Sequence, residues 1–150
     1  MTPLPDLDAF GRIAAGGHHL GVLSTLRRDG TIQSSLVSVG VLDHPADGRP
    51  VVGLVARGGT RKLAHLRARP TATVVAQSGF EWIAAEGDAE LAGPDDRLPG
   101  VDGERLRSLL REVFVAARGT HEDWATYDRI MAEERRTAVL ITPRRVYTNG

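Results

Sequence analysis

Residues 19–27 and 31–42 are two strand-like apolar runs separated only by Arg28-Asp29-Gly30. Asp-Gly at such a junction favours a tight reversal, because the turn needs positive φ and glycine takes it without steric cost. Strands joined that closely are antiparallel neighbours, whereas parallel strands need long crossover connections. The rest of the chain extends the pattern. A looser loop through His44, Pro45, Asp47 and Gly48 leads to a third run at 50–56. Gly58-Gly59-Thr60 then opens a short helical stretch at 61–68, halted ahead of Pro70. Strand-like runs follow at 71–77 and 80–91, the first rich in β-branched residues.

Helical spacing appears at three places. Leu4, Leu7, Phe10 and Ile13 form an amphipathic start that stops at Gly16-Gly17. After a loop dense in Gly, Pro and Asp (92–103), Leu106, Leu109, Leu110, Val113, Phe114 and Ala117 follow the i, i+3, i+4 rule, and Trp124, Tyr127, Ile130 and Met131 mark a second helix. A strand at 137–141 and another at 145–147 close the chain. The expected order is helix, three strands, short helix, two strands, two helices, final strand. Helices are missing between successive strands, which excludes a doubly wound parallel sheet. The expected class is mostly β with α, an antiparallel sheet closing as a barrel with peripheral helices.

At 150 residues, with 41% hydrophobic and 25% charged residues, the chain is expected to form one domain over 1–150. Without cysteine it can form no disulfide, thiolate metal site or cysteine nucleophile. No apolar run approaches the roughly 18 residues that span a bilayer. The opening MTPLPDLDAF lacks the basic-then-apolar build of a secretory signal, so a cytoplasmic address is expected. A formal net charge of zero gives no bulk attraction to nucleic acid or membrane.

The distribution of charge is more informative than its sum. Between Gly48 and Phe80 there is no acid, yet Arg49, Arg57, Arg61, Lys62, Arg67 and Arg69 fall there. Such a stretch suits an anionic ligand; a solvated basic face is the alternative. Of the 19 Lys+Arg residues only Lys62 is lysine. It marks a place where a compact ammonium is wanted instead of a planar guanidinium, unless one lysine survived by chance. Thr60 is placed to cap the helix that begins with Arg61 and Lys62. The first turn of a helix offers unpaired N–H groups and the positive dipole end, and two preceding glycines permit close backbone approach. Together these make a phosphate site, although neither a P-loop nor a GxGxxG fingerprint is present.

Three stretches carry a likeness to a known family: LSTLRRDGTIQSSLVSV, TRKLAHLRARPTATVV and EDWATYDRIMAEERRTAVLITPRRVYTNG, with EWIAAEGDAEL between the last two. In order and spacing they resemble the pyridoxamine-phosphate-oxidase-like split-barrel superfamily, in particular its deazaflavin (F420)-dependent reductases. The resemblance implies an FMN-binding-protein-like split β-barrel and a homodimer with cofactor sites between subunits. It implies that Arg61 and Lys62 bind the cofactor phosphate, with Thr60 at the adjoining hydroxyl position. It places Ser35, Leu36, Val37 and Ser38 on the strand beside the isoalloxazine-like ring, and Trp82 on a later strand facing the cofactor. His65 departs from the Asn often found in relatives. The chain closes at Gly150 without the extended C-terminal substrate motif of true pyridoxamine-phosphate oxidases, so that substrate is not expected.

The function implied is an F420-dependent oxidoreductase moving hydride between reduced F420 and a small organic substrate. An FMN-dependent enzyme of the same fold, or a flavin or F420 carrier without turnover, is the alternative. No dedicated catalytic residue is assigned, because the cofactor carries the chemistry while the protein binds, orients and excludes water. Arg57 and Arg67 are expected to meet the poly-glutamate tail of F420, which FMN lacks.

Other chemistries find little support. His18, His19, His44, His65 and His121 show no metal-ligand spacing. Ser24, Ser34, Ser35 and Ser38 lack a G-x-S-x-G elbow. Trp124, Tyr127 and Met131 read as core or dimer packing, Trp82 equally as core, and Asp95 and Asp96 as solvated turn residues. The basic run lacks the aromatic interleaving of a nucleic-acid surface.

Overall fold

The structure is a computed structural model that describes residues 6–118 and 123–149. Helix α1 (Leu7–Gly16) begins where Asp6 accepts bonds from the amides of Asp8 and Ala9, and it buries Leu7, Phe10, Ile13 and Ala14. Leu4, expected in this helix, lies outside the described residues.

β1 (Leu20–Leu26) and β2 (Ile32–Ser38) form the expected hairpin. Gly30 has φ 85°, and the Asp29 carboxylate accepts from both the amide and the hydroxyl of Thr31, which locks the turn. The run at 31–42 is not one strand. It breaks at Val39, whose amide donates to the carbonyl of His19, and resumes as β3 (Gly40–Asp43), paired with β4 (Pro50–Ala56) instead of β1. After α2 (Arg61–Ala68), β5 (Thr71–Ser78) and β6 (Glu81–Ala92) make a second long hairpin. α3 (Gly103–Arg118), α4 (Trp124–Glu133) and β7 (Thr137–Thr148) complete the chain.

Among the described residues the sheet has seven strands, all antiparallel, in the order β2-β1-β5-β6-β7-β4-β3. Its two outermost strands, β2 and β3, are consecutive in sequence and joined by Val39 alone. The sheet must therefore curl until its edges nearly meet, which is a barrel closed by a strand that turns a corner. The two strands expected at 137–141 and 145–147 are one. Pro143 pairs with Gly87 of β6, and it is tolerated within β7 because β4 pairs only as far as Ile141, leaving that side of the strand without a ladder. Opposite it, the register of β6 shifts between Glu86 and Gly87.

Two apolar cores result. Phe10, Leu23, Val39, Leu54, Leu63, Val74, Ile83, Val139 and Ile141 fill the barrel. Leu109, Leu110, Val113 and Tyr127 pack α3 and α4 against Val51, Ala138 and Leu140 on its outside. No helix among the described residues is long and apolar enough to cross a membrane.

One outer face stays open. The cross-strand partners Leu36, Val22, Val75, Ala84 and Tyr147 form an apolar row over β2, β1, β5, β6 and β7. Leu36 at its end is 68% exposed. The neighbouring row, Ser34, Ser24, Thr73, Glu86 and Arg145, is polar.

Candidate functional site

The segment between β4 and α2 decides where the site lies. Gly59 adopts φ 80°, and the Gly58 amide donates to the Glu134 carbonyl at 3.1 Å. A Cβ on Gly58 would stand 2.7 Å from both the Cβ and the carbonyl oxygen of Arg135, so only glycine lets the loop lie flat on the α4–β7 turn. In that turn Arg135 sits at φ 50°, the amides of Arg135 and Arg136 donate to the carbonyls of Ala132 and Met131, and the Arg135 side chain makes a bidentate ion pair with Asp95.

Arg57, Thr60 and Lys62 of this segment thus line one wall of a cleft of about 620 Å³, within the size range of small-molecule sites. Leu36, Val37 and Ser38 from β2 form its floor with Val55 and Ala56. Val113, Phe114 and Ala117 of α3 and Tyr127, Ile130 and Met131 of α4 supply an apolar wall, and Arg57, Thr60, Lys62, Glu134 and Arg136 supply the polar end.

The polar end carries unmet bonding capacity. Thr60 holds the N-cap position with extended backbone (φ −76°, ψ 154°), but its side chain makes no cap bond. Its hydroxyl is buried without a partner among the described residues, a costly state unless a ligand engages it. Lys62 is half-buried and has no carboxylate partner among the described residues. Burial first, then the charge of Arg136, hold its ammonium below the usual lysine range. Arg57 approaches Glu134 at 3.7 Å and Arg136 bonds the same carboxylate at 3.1 Å. One acid therefore faces three cations.

Tyr127 belongs to the apolar wall. Its hydroxyl donates to the Leu110 carbonyl at 2.9 Å, and burial pushes its pKa up to about 12. It is a wall, not an acid. Phe114 packs on it with ring centroids 5.0 Å apart.

Six of the nine expected cofactor residues meet in this cleft: Leu36, Val37, Ser38, Arg57, Thr60 and Lys62. Ser35 and Arg61 do not line it; Arg61, at the first helical position, is exposed. Trp82 lies elsewhere, at the far end of the open sheet face, edge-on to Tyr147 at 6.2 Å. The rest of the basic run is occupied by the protein. Arg49 bonds Asp47, Glu90 and Thr142, Arg69 donates to the Leu26 carbonyl, and Arg67 grips Asp96 through two bonds of 2.7 and 2.6 Å. Arg67 is therefore engaged by Asp96; Asp95 is an exposed turn residue, as expected, that also pairs with Arg135, whereas Asp96 is largely covered by its ion pair instead of solvated. His65 faces inward, with its Nδ1 3.1 Å from the Thr25 hydroxyl. Sequence reasoning missed Glu134 and Arg136, which reach the cleft only because the turn carrying them packs on residues 58–59.

No family model matches the sequence, and no curated protein does. Solved structures match throughout its length. An FMN-binding protein from Nostoc punctiforme, described as related to pyridoxamine 5'-phosphate oxidase, superposes with TM-score 0.68 at 14% identity, over 99% of this chain and 86% of its own. The fold is a split barrel. Other split barrels that superpose include a heme-binding protein from Mycobacterium smegmatis (TM-score 0.64, 19% identity, 99% of this chain and 56% of its own) and an F420 reductase (0.58, 15%, 90% and 95%). At such identities the likeness establishes the split-barrel architecture; the ligands named belong to those proteins.

Proposed function

We propose that this split barrel is an F420-dependent oxidoreductase whose cleft seats the cofactor phosphate at Lys62. The observation that carries the reading is that, among the described residues, the Lys62 ammonium has no carboxylate partner and the Thr60 hydroxyl no hydrogen-bond partner, at the polar end of an otherwise apolar cleft. A phosphate satisfies both at once. Leu36, Val37 and Ser38 would run along the ring, and the α3–α4 wall would exclude water from it. When bound, the deazaflavin supplies a hydride-donating carbon; the chain contributes orientation and a dry surface. Tyr127 does not deliver a proton, because its hydroxyl is committed to Leu110, so the proton comes from solvent.

The open sheet face supports a homodimer. The row is apolar across five strands, and its Leu36, Val22 and Tyr147 are exposed around a buried Ala84, which offers an apolar face to a second copy. A second copy placed face to face, with the twofold axis running along β5, exchanges the two ends of the row. The Trp82–Tyr147 corner of the partner then lies over residues 36–38, which brings Trp82 to the cofactor from the other subunit. Leu36→Asp should give a monomer by sedimentation equilibrium, and a native chain that sediments as a monomer rejects the arrangement.

Equilibrium binding of F420 and FMN, read by fluorescence quenching, tests the cofactor. Tighter F420 binding is expected; preference for FMN replaces the cofactor and leaves the fold as it is. Reduced F420 offered with a panel of quinones, enones and tetrapyrroles tests turnover. Tight binding without cofactor oxidation would make the protein a carrier.

A further inference from the structure

Lys62 has a second chemical property beyond its charge. An amine attacks an electrophile only when unprotonated, and burial together with Arg136 raises the unprotonated fraction of Lys62 above that of a solvated lysine. It is the only lysine in the chain, so no other lysine side chain competes for the same reagents. Arg57 and Arg136 share the single carboxylate of Glu134 in the same cleft, which leaves the surroundings of Lys62 net positive. The Thr60 hydroxyl adds a buried donor without an acceptor among the described residues. Cations and a spare donor around a half-buried amine gather small anions, and an anion that is also an acyl donor arrives already placed for attack.

We propose that Lys62 of the cofactor-free protein is an acylation site for small acyl phosphates, whose phosphoryl group is held by Arg57 and Arg136. The Nζ lone pair attacks the acyl carbon and forms an amide bond. The bond between that carbon and the bridging oxygen breaks, inorganic phosphate leaves with the electron pair, and the Nζ proton passes to phosphate or water. No oxidation state changes and no further reactant is needed. The product has lost the ammonium and gained bulk at the polar end of the cleft, so an acylated chain cannot load a phosphorylated ligand there. That last consequence alone depends on the cofactor reading above.

The test treats the full chain, free of cofactor, with acetyl phosphate and follows Lys62 acetylation by peptide mass spectrometry. Nα-acetyl-lysine in the same tube serves as the reference amine. Lys62 should react several-fold faster than the reference. Acetylimidazole, which carries no phosphate, is used in parallel. Arg57→Gln should lower the ratio of the acetyl phosphate rate to the acetylimidazole rate several-fold, and added inorganic phosphate should do the same for the native chain. Arg57 is 64% exposed at its side chain, so this variant keeps the fold. Lys62 reacting no faster than the reference amine, or an unchanged ratio in Arg57→Gln, overturns the proposal. A further arm adds F420 or FMN. Acetylation that continues unhindered at saturating cofactor would count against the cofactor reading while leaving the acylation site intact.

Discussion

Replacing Lys62 by Met keeps the length of the side chain and removes its charge, which isolates the ammonium. A hydrogen bond to a charged group contributes about 1.5–3 kcal/mol. Lys62 is only half-buried, so the lower part of that range applies, and a loss of about 1.5–2.5 kcal/mol corresponds to roughly 10- to 70-fold weaker binding. The loss should appear for F420 and FMN in fluorescence titrations, and should vanish for riboflavin, which has the ring without the phosphate. The pH profile gives a second reading. In the free protein the ammonium titrates below the usual lysine range, so affinity for phosphorylated ligands should fall on the alkaline side earlier than an ordinary lysine would dictate. Lys62→Met should abolish that limb. Stability moves the other way. A lysine whose folded pKa lies below its unfolded value penalises the folded state at lower pH, and the penalty lifts as pH rises from the folded toward the unfolded value. Removing the charge should therefore raise the Tm of the free protein at neutral pH. Equal losses for FMN and riboflavin would refute the phosphate assignment, and a lower Tm would refute the claim that the buried ammonium is unpaired.

Thr60→Val is nearly isosteric and breaks no cap bond, so thermal melts should show stability unchanged or slightly raised while cofactor affinity falls. Gly58→Ala drives a methyl into Arg135; overpacking of this kind costs about 1–3 kcal/mol, seen as a lower denaturant midpoint together with weaker cofactor binding. Arg67→Glu breaks the pair with Asp96 and should destabilise the chain, yet F420 and FMN titrations should match the native protein. A selective loss of F420 affinity in that variant would restore Arg67 as a tail contact.

The hairpins were legible because their determinants are local. Asp29-Gly30 names its own turn, and the β-branched run after Pro70 declares a strand. The break at Val39 was not legible, since an apolar residue in an apolar run carries no local mark; the break exists because the sheet must close. Pro143 misled in the opposite direction. It reads as a strand end, but the part of β7 that holds it has a neighbour on one side only. The same division applies to the site. Thr60 and Lys62 stand out through glycine, cap position and rarity of residue type, whereas Glu134 and Arg136 enter through the packing of a distant turn. Sequence proximity also overstated the basic cluster: Arg49, Arg67 and Arg69 share its stretch but spend their donors on the protein's own oxygens.

Val39 also bears on how the cleft comes into being. The hairpin before it and the β3–β4 hairpin after it can each form from neighbouring residues, but β4 finds its other partner, β7, only at the end of the chain. Pairings of such long sequence separation are slow, because loop closure must be met before the contacts return anything. The floor of the cleft belongs to the early hairpins and its walls to α3, α4 and the turn before β7. A folding chain therefore gains ligand affinity only when its last strand docks, and cofactor fluorescence in a refolding experiment would time that final event instead of the collapse before it.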